Sequence, residues 1–297
     1  MNQKPKYNEI VFTKEQEKQI VDMYIMKNFS TVKIGKRFNV SHKIIAKVLD
    51  KHNISRTGVG KRRYFLDEHY FDEINTPNKA YILGLLFADG YNSIDKDTIR
   101  IQLQYLDKDI LEQIRIELKS DKPLKFIKCS DKVASNGFVS KDMYQLEFHS
   151  AHLCRTLMDI GMVQNKSLVL NFPTIDKSLY SHFIRGYFDG DGSLYTYTKT
   201  NGGMQNTLTI TSTDKFCNKC LNILKDELNI GGGVYDASSH NGITKVLSVC
   251  GNIQVKKVLD WFYKDADLFM QRKYDLYKNK FAFWLQINLI LSNEQNK

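Results

Sequence analysis

Long apolar runs are absent from this 297-residue sequence. Crossing a bilayer as a helix takes ~18 consecutive apolar residues. The most apolar stretch near the end, residues 281–291, is interrupted by Gln286 and Asn288. The first residues lead into no apolar core of the kind found in secretory signal peptides. We therefore expect neither a membrane-spanning nor a secreted protein.

Paired cysteines are also missing. Five cysteines are scattered along the chain, and the lone Cys217-x-x-Cys220 has no second pair. A tetrahedral zinc ion needs more ligands than this pair offers, so packing in a helix core is the preferred interpretation. The scattered thiols indicate a cytoplasmic protein with reduced cysteines.

Most of the chain has no excess of positive charge. Residues 1–63 contain 15 Lys and Arg against 5 Asp and Glu, whereas residues 64–297 contain 28 of each kind. The whole formal net charge of +10 therefore lies in the first fifth of the sequence. Charge concentrated in this way favours a polyanionic partner, and we predict nucleic acid. The alternative is a solvated basic extension, but this segment has a helical pattern of its own.

The basic segment has the pattern of three short helices. Thr13 is placed to cap the first, residues 31–38 form the second with Val32 and Ile34 turned inward, and Ser41 is placed to cap the third. The pattern resembles a helix-turn-helix module, in which the start of the third helix enters the major groove. The residues expected to contact DNA are Ser41, His42, Lys43 and Lys47.

A basic connection follows. Residues 56–65 contain two glycines and then Lys61, Arg62 and Arg63, which favours a flexible tether along a phosphate backbone. The alternative is an ordinary charged linker. We predict a helix-turn-helix domain over residues 1–60 and a basic linker over residues 61–76.

Two short segments repeat one pattern. Residues 82–90 read Ile-Leu-Gly-Leu-Leu-Phe-Ala-Asp-Gly, and residues 184–192 read Ile-Arg-Gly-Tyr-Phe-Asp-Gly-Asp-Gly. Each predicts a mostly apolar helix whose small residues, four apart, share one face and let two helices approach closely. Gly90 and Gly192 are expected to end these helices in the left-handed conformation.

The last turn of each predicted helix carries an acid, Asp89 or Asp191, and the two acids are expected to lie side by side. A carboxylate at a helix C-terminus faces the negative end of the helix dipole, and two adjacent carboxylates repel each other. A divalent cation removes both penalties, and magnesium prefers carboxylate and phosphate oxygens. The alternative of two unrelated acidic helix ends is weakened by the repetition of the pattern.

Both segments resemble the LAGLIDADG motif of homing endonucleases. The eighth position of that nine-residue motif is the essential metal-binding acid, which corresponds to Asp89 and Asp191. The second segment also has an acid at the sixth position, Asp189, where the first has Phe87, and that position serves the helix interface. The resemblance extends through most of residues 64–285.

The resemblance implies an α+β fold of two pseudo-symmetric half-domains, each with the order α-β-β-α-β-β-α and an antiparallel DNA-binding sheet. Alternating patterns at residues 98–105, with Tyr105 on the apolar face, and at residues 207–212 agree with this. We place the half-domains at residues 77–165 and 166–297. The residues expected to contact base edges from the polar face of the first sheet are Arg100, Gln102 and Gln104.

Each half-domain ends near a lysine, Lys166 or Lys273, which follow the two acids by 77 and 82 residues. The resemblance implies that such a lysine lies near each scissile phosphate and stabilises the negative charge that develops there. The alternative is that both are surface lysines.

The resemblance therefore implies a monomeric endonuclease, dependent on Mg²⁺ (or Mn²⁺), that makes staggered double-strand breaks in a long DNA target in a bacterial or phage-infected cell. The catalytic residues would be Asp89, Asp191, Lys166 and Lys273, with the two acids as metal ligands. The alternatives are a non-cleaving DNA-binding regulator and an intron RNA maturase with the same fold. Retention of both acids argues against the regulator.

Overall fold

The computed structural model of the chain describes residues 12–25, 29–52, 54, 64–129, 141–164, 166–200, 202–237 and 244–282. The chain divides into two compact units, Met1–Phe65 and Leu66–Lys297, and each unit has its own hydrophobic core. The predicted phosphate contacts Lys61, Arg62 and Arg63 lie outside the described residues. Across the described ranges, no helix combines the length and the apolar character needed to span a membrane.

The smaller unit contains three helices, α1 (Lys14–Ile25), α2 (Thr31–Arg37) and α3 (His42–Lys51). The two predicted caps are present: Thr13 Oγ1 accepts a hydrogen bond from the Gln16 backbone N at 3.2 Å, and Ser41 Oγ accepts one from the Lys43 backbone N at 3.3 Å. Each cap satisfies a backbone N–H that a helix leaves unpaired at its start. The order of these helices agrees with the prediction from the sequence.

The turn between α2 and α3 is tight. Asn39 has a positive φ of 51°, a conformation that asparagine tolerates better than most residues. A Cβ atom on Gly35 would lie only 2.7 Å from the carbonyl oxygen of Val40. A larger residue at position 35 would therefore push the turn away from α2.

The predicted inward position of Val32 is wrong. Its side chain is 52% exposed, whereas Ile34 is fully buried. Successive residues are separated by ~100° around a helix axis, so Val32 lies ~200° away from Ile34 and faces the opposite side.

The larger unit has the predicted α+β fold, in which the order α-β-β-α-β-β-α occurs twice. The first repeat consists of α4 (Pro77–Asp89), β1 (Gly90–Ser93), β2 (Thr98–Gln104), α5 (Lys108–Glu117), β3 (Lys125–Ile127), β4 (Met143–His149) and α6 (Ala151–Ile160). The second consists of α7 (Tyr180–Asp191), β5 (Gly192–Thr198), β6 (Met204–Ser212), α8 (Asp214–Leu228), β7 (Gly233–Asp236), β8 (Lys245–Cys250) and α9 (Asn252–Tyr263). Residues 271–282 form a further helix, α10.

Each repeat forms one antiparallel sheet, with the strand order β1-β2-β4-β3 in the first and β5-β6-β8-β7 in the second. Strand β2 alternates as predicted: Ile99 and Ile101 are buried, and the polar residues between them are half-buried on the other face. Tyr105 is an exception, because the strand ends at Gln104 and a 3-10 turn, Tyr105–Asp107, redirects the chain. Tyr105 is consequently 50% exposed, and its predicted burial is wrong.

The second part of the predicted linker belongs to the core of the larger unit. Leu66, Tyr70 and Phe71 are buried among its apolar residues. The Tyr70 hydroxyl donates a hydrogen bond to Glu117 Oε2 at 2.8 Å. This segment is packed rather than tethered, because its apolar side chains gain burial against the half-domain.

The backbones of α4 and α7 are in contact with each other. A Cβ atom on Gly84 would lie 2.0 Å from the carbonyl oxygen of Phe183, and one on Gly186 would lie 2.0 Å from that of Tyr81. Only glycine permits such an approach. The two contacts are reciprocal, as expected for two helices related by a pseudo-twofold axis.

The predicted left-handed conformation of Gly90 and Gly192 is wrong. Both residues are extended, with φ/ψ of −78°/151° and −93°/158°. Glycine is required there for space: an added Cβ would lie 2.4 Å from the Leu86 carbonyl oxygen in one case and 2.1 Å from Phe188 Cδ2 in the other. The extended conformation leads the chain directly from α4 into β1 and from α7 into β5.

We expect Gly84→Ala and Gly186→Ala each to lower the free energy of unfolding by about 3 kcal/mol, because the atoms that meet the new methyl group belong to a backbone that cannot move aside. Urea denaturation followed by circular dichroism measures this change. The matched control is Gly231→Ala, whose methyl group would meet only the flexible Gln254 side chain, at 3.2 Å. Equal stability of the Gly84 and Gly231 variants would contradict the close helix approach.

Candidate active site

The two motif acids lie at the ends of the paired helices. Asp89 is the last residue of α4, Asp191 is the last residue of α7, and each is followed at once by the first strand of a sheet. A Cβ atom on Gly190 would lie 2.6 Å from Asp89 Oδ2 and 2.5 Å from Ala88 Cβ. The acid of the first half-domain therefore lies against the last turn of α7. Both acids are exposed, so a ligand can reach them.

The protein surroundings disfavour the charged forms of both acids. Desolvation raises the pKa of Asp89 to about 6, and the negative charge of Asp191 adds to this shift. Desolvation also raises the pKa of Asp191, whereas the positive charge of Lys166 opposes that shift. Since desolvation and mutual repulsion both oppose ionisation, a bound cation would stabilise the ionised pair. Oxygen ligands of this kind suit a small, hard divalent cation.

Lys166 contacts the end of the first motif helix. Its Nζ donates hydrogen bonds to the carbonyl oxygens of Ala88, at 3.0 Å, and Gly90, at 2.6 Å. The last carbonyl groups of a helix have no partner within the helix, so the lysine satisfies two groups that would otherwise need solvent. Burial lowers the pKa of Lys166, and the charges of Asp191 and Asp89 oppose that shift.

Lys273 occupies the equivalent place in the second half-domain. Its buried Nζ donates hydrogen bonds to the carbonyl oxygens of Phe188, at 3.3 Å, and Gly192. Burial lowers the pKa of Lys273 to about 8. The two lysines thus make a matching contact with the glycine that ends each motif, and each also contacts a carbonyl in the last turn of its helix, at Ala88 for Lys166 and at Phe188 for Lys273. The sequence pattern placed the lysines only in the general region of the acids.

The sixth position of the motif differs between the two halves. Asp189 is fully buried, and its Oδ2 accepts hydrogen bonds from the Tyr81 hydroxyl and the Met270 backbone N, both at 2.8 Å. Burial raises the pKa of Asp189 to about 6. In the first half-domain Phe87 packs edge-on against Phe183, with ring centroids 5.4 Å apart. Both residues therefore serve the helix interface and not the accessible site.

An ion pair joins the two half-domains near the acids. Arg272 Nε lies 2.9 and 3.0 Å from the two carboxylate oxygens of Asp107, which is buried. Arg272 is on α10, and Asp107 lies in the turn that precedes α5. The positive charge of Arg272 also opposes the upward shift of the Asp89 pKa. Reasoning from the sequence did not assign a role to Arg272, although it directly precedes Lys273.

The candidate DNA-contacting residues are on two separate surfaces, one in each unit. Within the smaller unit, four side chains are exposed at and just beyond the start of α3: Ser41, His42, Lys43 and Lys47. Ser41 Oγ is already engaged as the helix cap. Within the larger unit, the three predicted residues of β2 share the open face of the sheet: Arg100, Gln102 and Gln104. The Arg100 guanidinium lies 4.7 Å from the ring centroid of Tyr91.

Sequence reasoning missed the aromatic residues on the second sheet. Tyr195 and Tyr197 are 48% and 42% exposed on β5, and Tyr235 is 62% exposed on β7. The signal was present, because Tyr195 and Tyr197 are two residues apart in a strand that begins immediately after Asp191. Exposed tyrosines offer both an apolar ring and a polar hydroxyl to a partner.

Residues 178–260 match the family model described as a LAGLIDADG-like domain. This segment includes all of α7 and most of α9. The match confirms the resemblance inferred from the second motif, and Asp189 and Asp191 lie within the matched residues.

Several solved structures are similar to this chain over about three quarters of its length. The meganuclease I-SmaMI bound to uncleaveable DNA has 13% identity and a TM-score of 0.46, over 73% of this chain and 91% of that chain. The homing endonuclease I-GzeII in complex with its DNA target has 12% identity and a TM-score of 0.45, over 74% and 92%. I-LtrWI bound to target DNA has 12% identity and a TM-score of 0.43, over 74% and 92%. Among curated proteins, no sequence matches the chain.

Ionisation of Asp89 is expected to lower the free energy of unfolding by a measurable amount. Its folded-state pKa of about 6 lies above the ordinary value of 3.8, so the folded chain binds the proton more tightly and its free energy of unfolding falls as pH rises from about 4 to about 6. We expect Asp89→Asn to exceed the wild type in stability by about 1 kcal/mol above pH ~7, a value reduced for solvent screening at this accessible site. The difference should vanish below pH ~4.

Urea unfolding in metal-free buffer across this pH range measures the effect. Asp95→Asn, at an exposed position in the turn between β1 and β2, is the matched control and should have the stability of the wild type across this range. An Asp89→Asn variant that is no more stable than the wild type at neutral pH would contradict the unfavourable surroundings of this acid.

Proposed function

We propose that this chain is a monomeric homing endonuclease that cuts both strands of a long double-stranded DNA target at one site. The observation that carries the proposal is the pair of accessible acids, Asp89 and Asp191, at the ends of two helices whose backbones touch. Two adjacent carboxylates repel each other in the metal-free protein, and a site that binds a cation to cleave a phosphodiester accounts for the presence of both.

The donor set fits a divalent cation such as Mg²⁺ or Mn²⁺. Asp89 and Asp191 are the residues that would hold it, and they offer hard carboxylate oxygens while leaving room for phosphate oxygens of the substrate. A cation bound there supplies activation of a water molecule and stabilisation of the leaving oxygen. Each acid belongs to one half-domain and would serve mainly one strand, so both strands are cut. The resemblance to the LAGLIDADG family implies that this break is staggered, with short 3′ overhangs.

Lys166 and Lys273 act as positioning residues in this proposal. Each ammonium group contacts the carbonyls at one helix end, and it thereby fixes the direction in which the neighbouring acid leaves the helix. Their positive charges also lie close enough to the acids to oppose the pKa shifts of those acids. The lysines therefore favour the ionised acids that a cation needs.

The substrate is proposed to follow the open faces of both sheets. Arg100, Gln102 and Gln104 present charge and amide groups on the first face, and amides of this kind can pair with adenine edges in the major groove. The half-domains are taken as residues 77–165 and 166–297. The smaller unit is proposed to add phosphate and base contacts as a helix-turn-helix domain, with the basic residues 61–63 following the backbone.

The central test is cleavage by acid variants. We expect Asp89→Asn and Asp191→Asn each to abolish double-strand cleavage while DNA affinity stays within a few-fold of the wild type, because asparagine keeps the shape but loses the charge that binds the cation. The substrate is the DNA that flanks the gene, joined as it would be without the insertion, and the assay is run with and without Mg²⁺.

Asp226→Asn on α8 is the matched acid-to-amide control and should cleave normally. Full double-strand cleavage by either motif variant would contradict the assignment of the acids. A wild-type chain that binds this DNA yet leaves both strands intact with Mg²⁺ would instead identify a non-cleaving regulator, and binding restricted to intron RNA would identify a maturase.

The lysines give a strand-specific prediction. We expect alanine at Lys166 or Lys273 to lower the single-turnover rate by ~10²-fold, the scale expected when the neighbouring acid loses the contacts that orient it near the reacting atoms. Because each lysine contacts one helix end, each single variant should accumulate nicked DNA, with opposite strands cut in the two variants.

Gels with each strand labelled separately, at saturating enzyme, resolve the two cuts. Lys177→Ala removes an exposed lysine from the turn before α7 and serves as the control. Equal slowing of both strands in both variants would exclude a role at one helix end for each lysine.

A further inference from the structure

A second group of metal-ligating side chains lies on the first half-domain. His69 and Asp72 belong to the segment that precedes α4, and His152 lies in the first turn of α6. One ligand atom from each of the three residues lies within 4.8 Å of the other two. Within the ranges that the structure describes, no other three histidine, cysteine or acidic side chains meet this criterion.

Two imidazole rings share one carboxylate in this cluster. His69 Nδ1 lies 2.7 Å from Asp72 Oδ2, and His152 Nε2 lies 2.6 Å from Asp72 Oδ1. The two ring centroids are 4.4 Å apart.

The ligands are brought together without help from a metal. Ser150, which caps α6, donates from its hydroxyl to Glu68 Oε2 at 2.7 Å, and Glu68 directly precedes His69. Phe71, next to Asp72, is buried in the core. The backbone around both histidines is therefore fixed by folding. A cation that binds there would lose little affinity to the entropy of ordering its ligands.

The spacing suits zinc after small side-chain rotations. Ligand atoms around a tetrahedral zinc with bonds of about 2.0–2.1 Å lie roughly 3.3 Å apart. The observed N···O separations of 2.6 and 2.7 Å have to open by ~0.6 Å, which exposed side chains can do when the hydrogen-bonding protons leave. Because the two imidazoles contact different oxygens of Asp72, the carboxylate either binds the ion through both oxygens or rotates to present one. All three side chains are exposed, so no core packing opposes the change.

A groove of about 430 Å³ lies beside the cluster. Asp72 and Thr156 line this groove, and Thr156 Oγ1 lies 3.5 Å from Asp72 Oδ1. Thr156 is one helical turn after His152, so the two side chains share the face of α6 that meets Asp72. Two imidazole nitrogens and one carboxylate favour Zn²⁺, Co²⁺ or Ni²⁺ over the hard Mg²⁺.

We propose that His69, Asp72 and His152 bind one zinc-class divalent cation that joins the segment before α4 to α6. This site shares no ligand with Asp89 and Asp191 and goes beyond the nuclease function. Its effect is to stabilise the folded half-domain by mass action, since the unfolded chain does not bring the three ligands together.

The test is metal binding by the purified full-length chain after chelation and dialysis. Zn²⁺ competes against a chromophoric chelator, and Co²⁺ is followed by its visible absorption bands. We expect one ion per chain, and a loss of affinity of at least about tenfold in His69→Gln and in His152→Gln. His149→Gln, at another exposed histidine of the same half-domain, is the control and should bind like the wild type. Zn²⁺ should raise the melting temperature of the wild type and the control but not of the His152 variant.

Zinc binding that persists unchanged in the His69→Gln/His152→Gln double variant would overturn the proposal, as would the absence of Zn²⁺ binding by the wild type at ~100 μM metal, above the affinities expected of such sites. The Asp89→Asn/Asp191→Asn double variant should keep this Zn²⁺ affinity even in excess Mg²⁺. The zinc-binding measurement and the cleavage assay can therefore fail independently, and each tests only its own proposal.

Discussion

The backbone contact between α4 and α7 is the constraint on which the larger unit depends. Gly84 and Gly186 each let the other helix's carbonyl approach to a distance that any side chain would block. This approach brings Asp89 against Gly190, which directly precedes Asp191. The acids of the two half-domains therefore lie in one site. Because each helix passes directly into the first strand of its sheet, the same contact also fixes where the two open sheet faces begin.

The parts of this arrangement that the sequence predicted are those with a local signal. The repeated motif carries small residues four positions apart and its acid one residue before a strand, so the helix pair and the site of Asp89 and Asp191 were predictable. The ion pair of Arg272 with Asp107 was not, because 165 residues separate its partners and neither has a periodic signal. The extended conformation at the motif's last glycine was also missed, because it depends on which neighbouring atoms crowd that position.

The two halves are similar in their accessible chemistry and different in their interior. The lysines make matching contacts with the two helix ends, yet a buried carboxylate in one half corresponds to the Phe87 ring in the other. Asp189 connects α7 to Tyr81 of α4 and to the backbone before α10, whereas Phe87 contributes only apolar packing. The interface thus retains its twofold geometry while using different interactions, since backbone contact and not side-chain pairing sets the helix spacing.

The apolar character of α4 has a consequence for synthesis on the ribosome. Residues 80–87 are buried on every side of this helix, so no face of it is suited to water. Its partner α7 follows about 100 residues later in the chain. At ~5–20 residues per second, α4 waits on the order of 5–20 s after its own synthesis before α7 can cover it. During that interval the first half-domain has an open apolar face, and surface of this kind exposes a growing chain to aggregation.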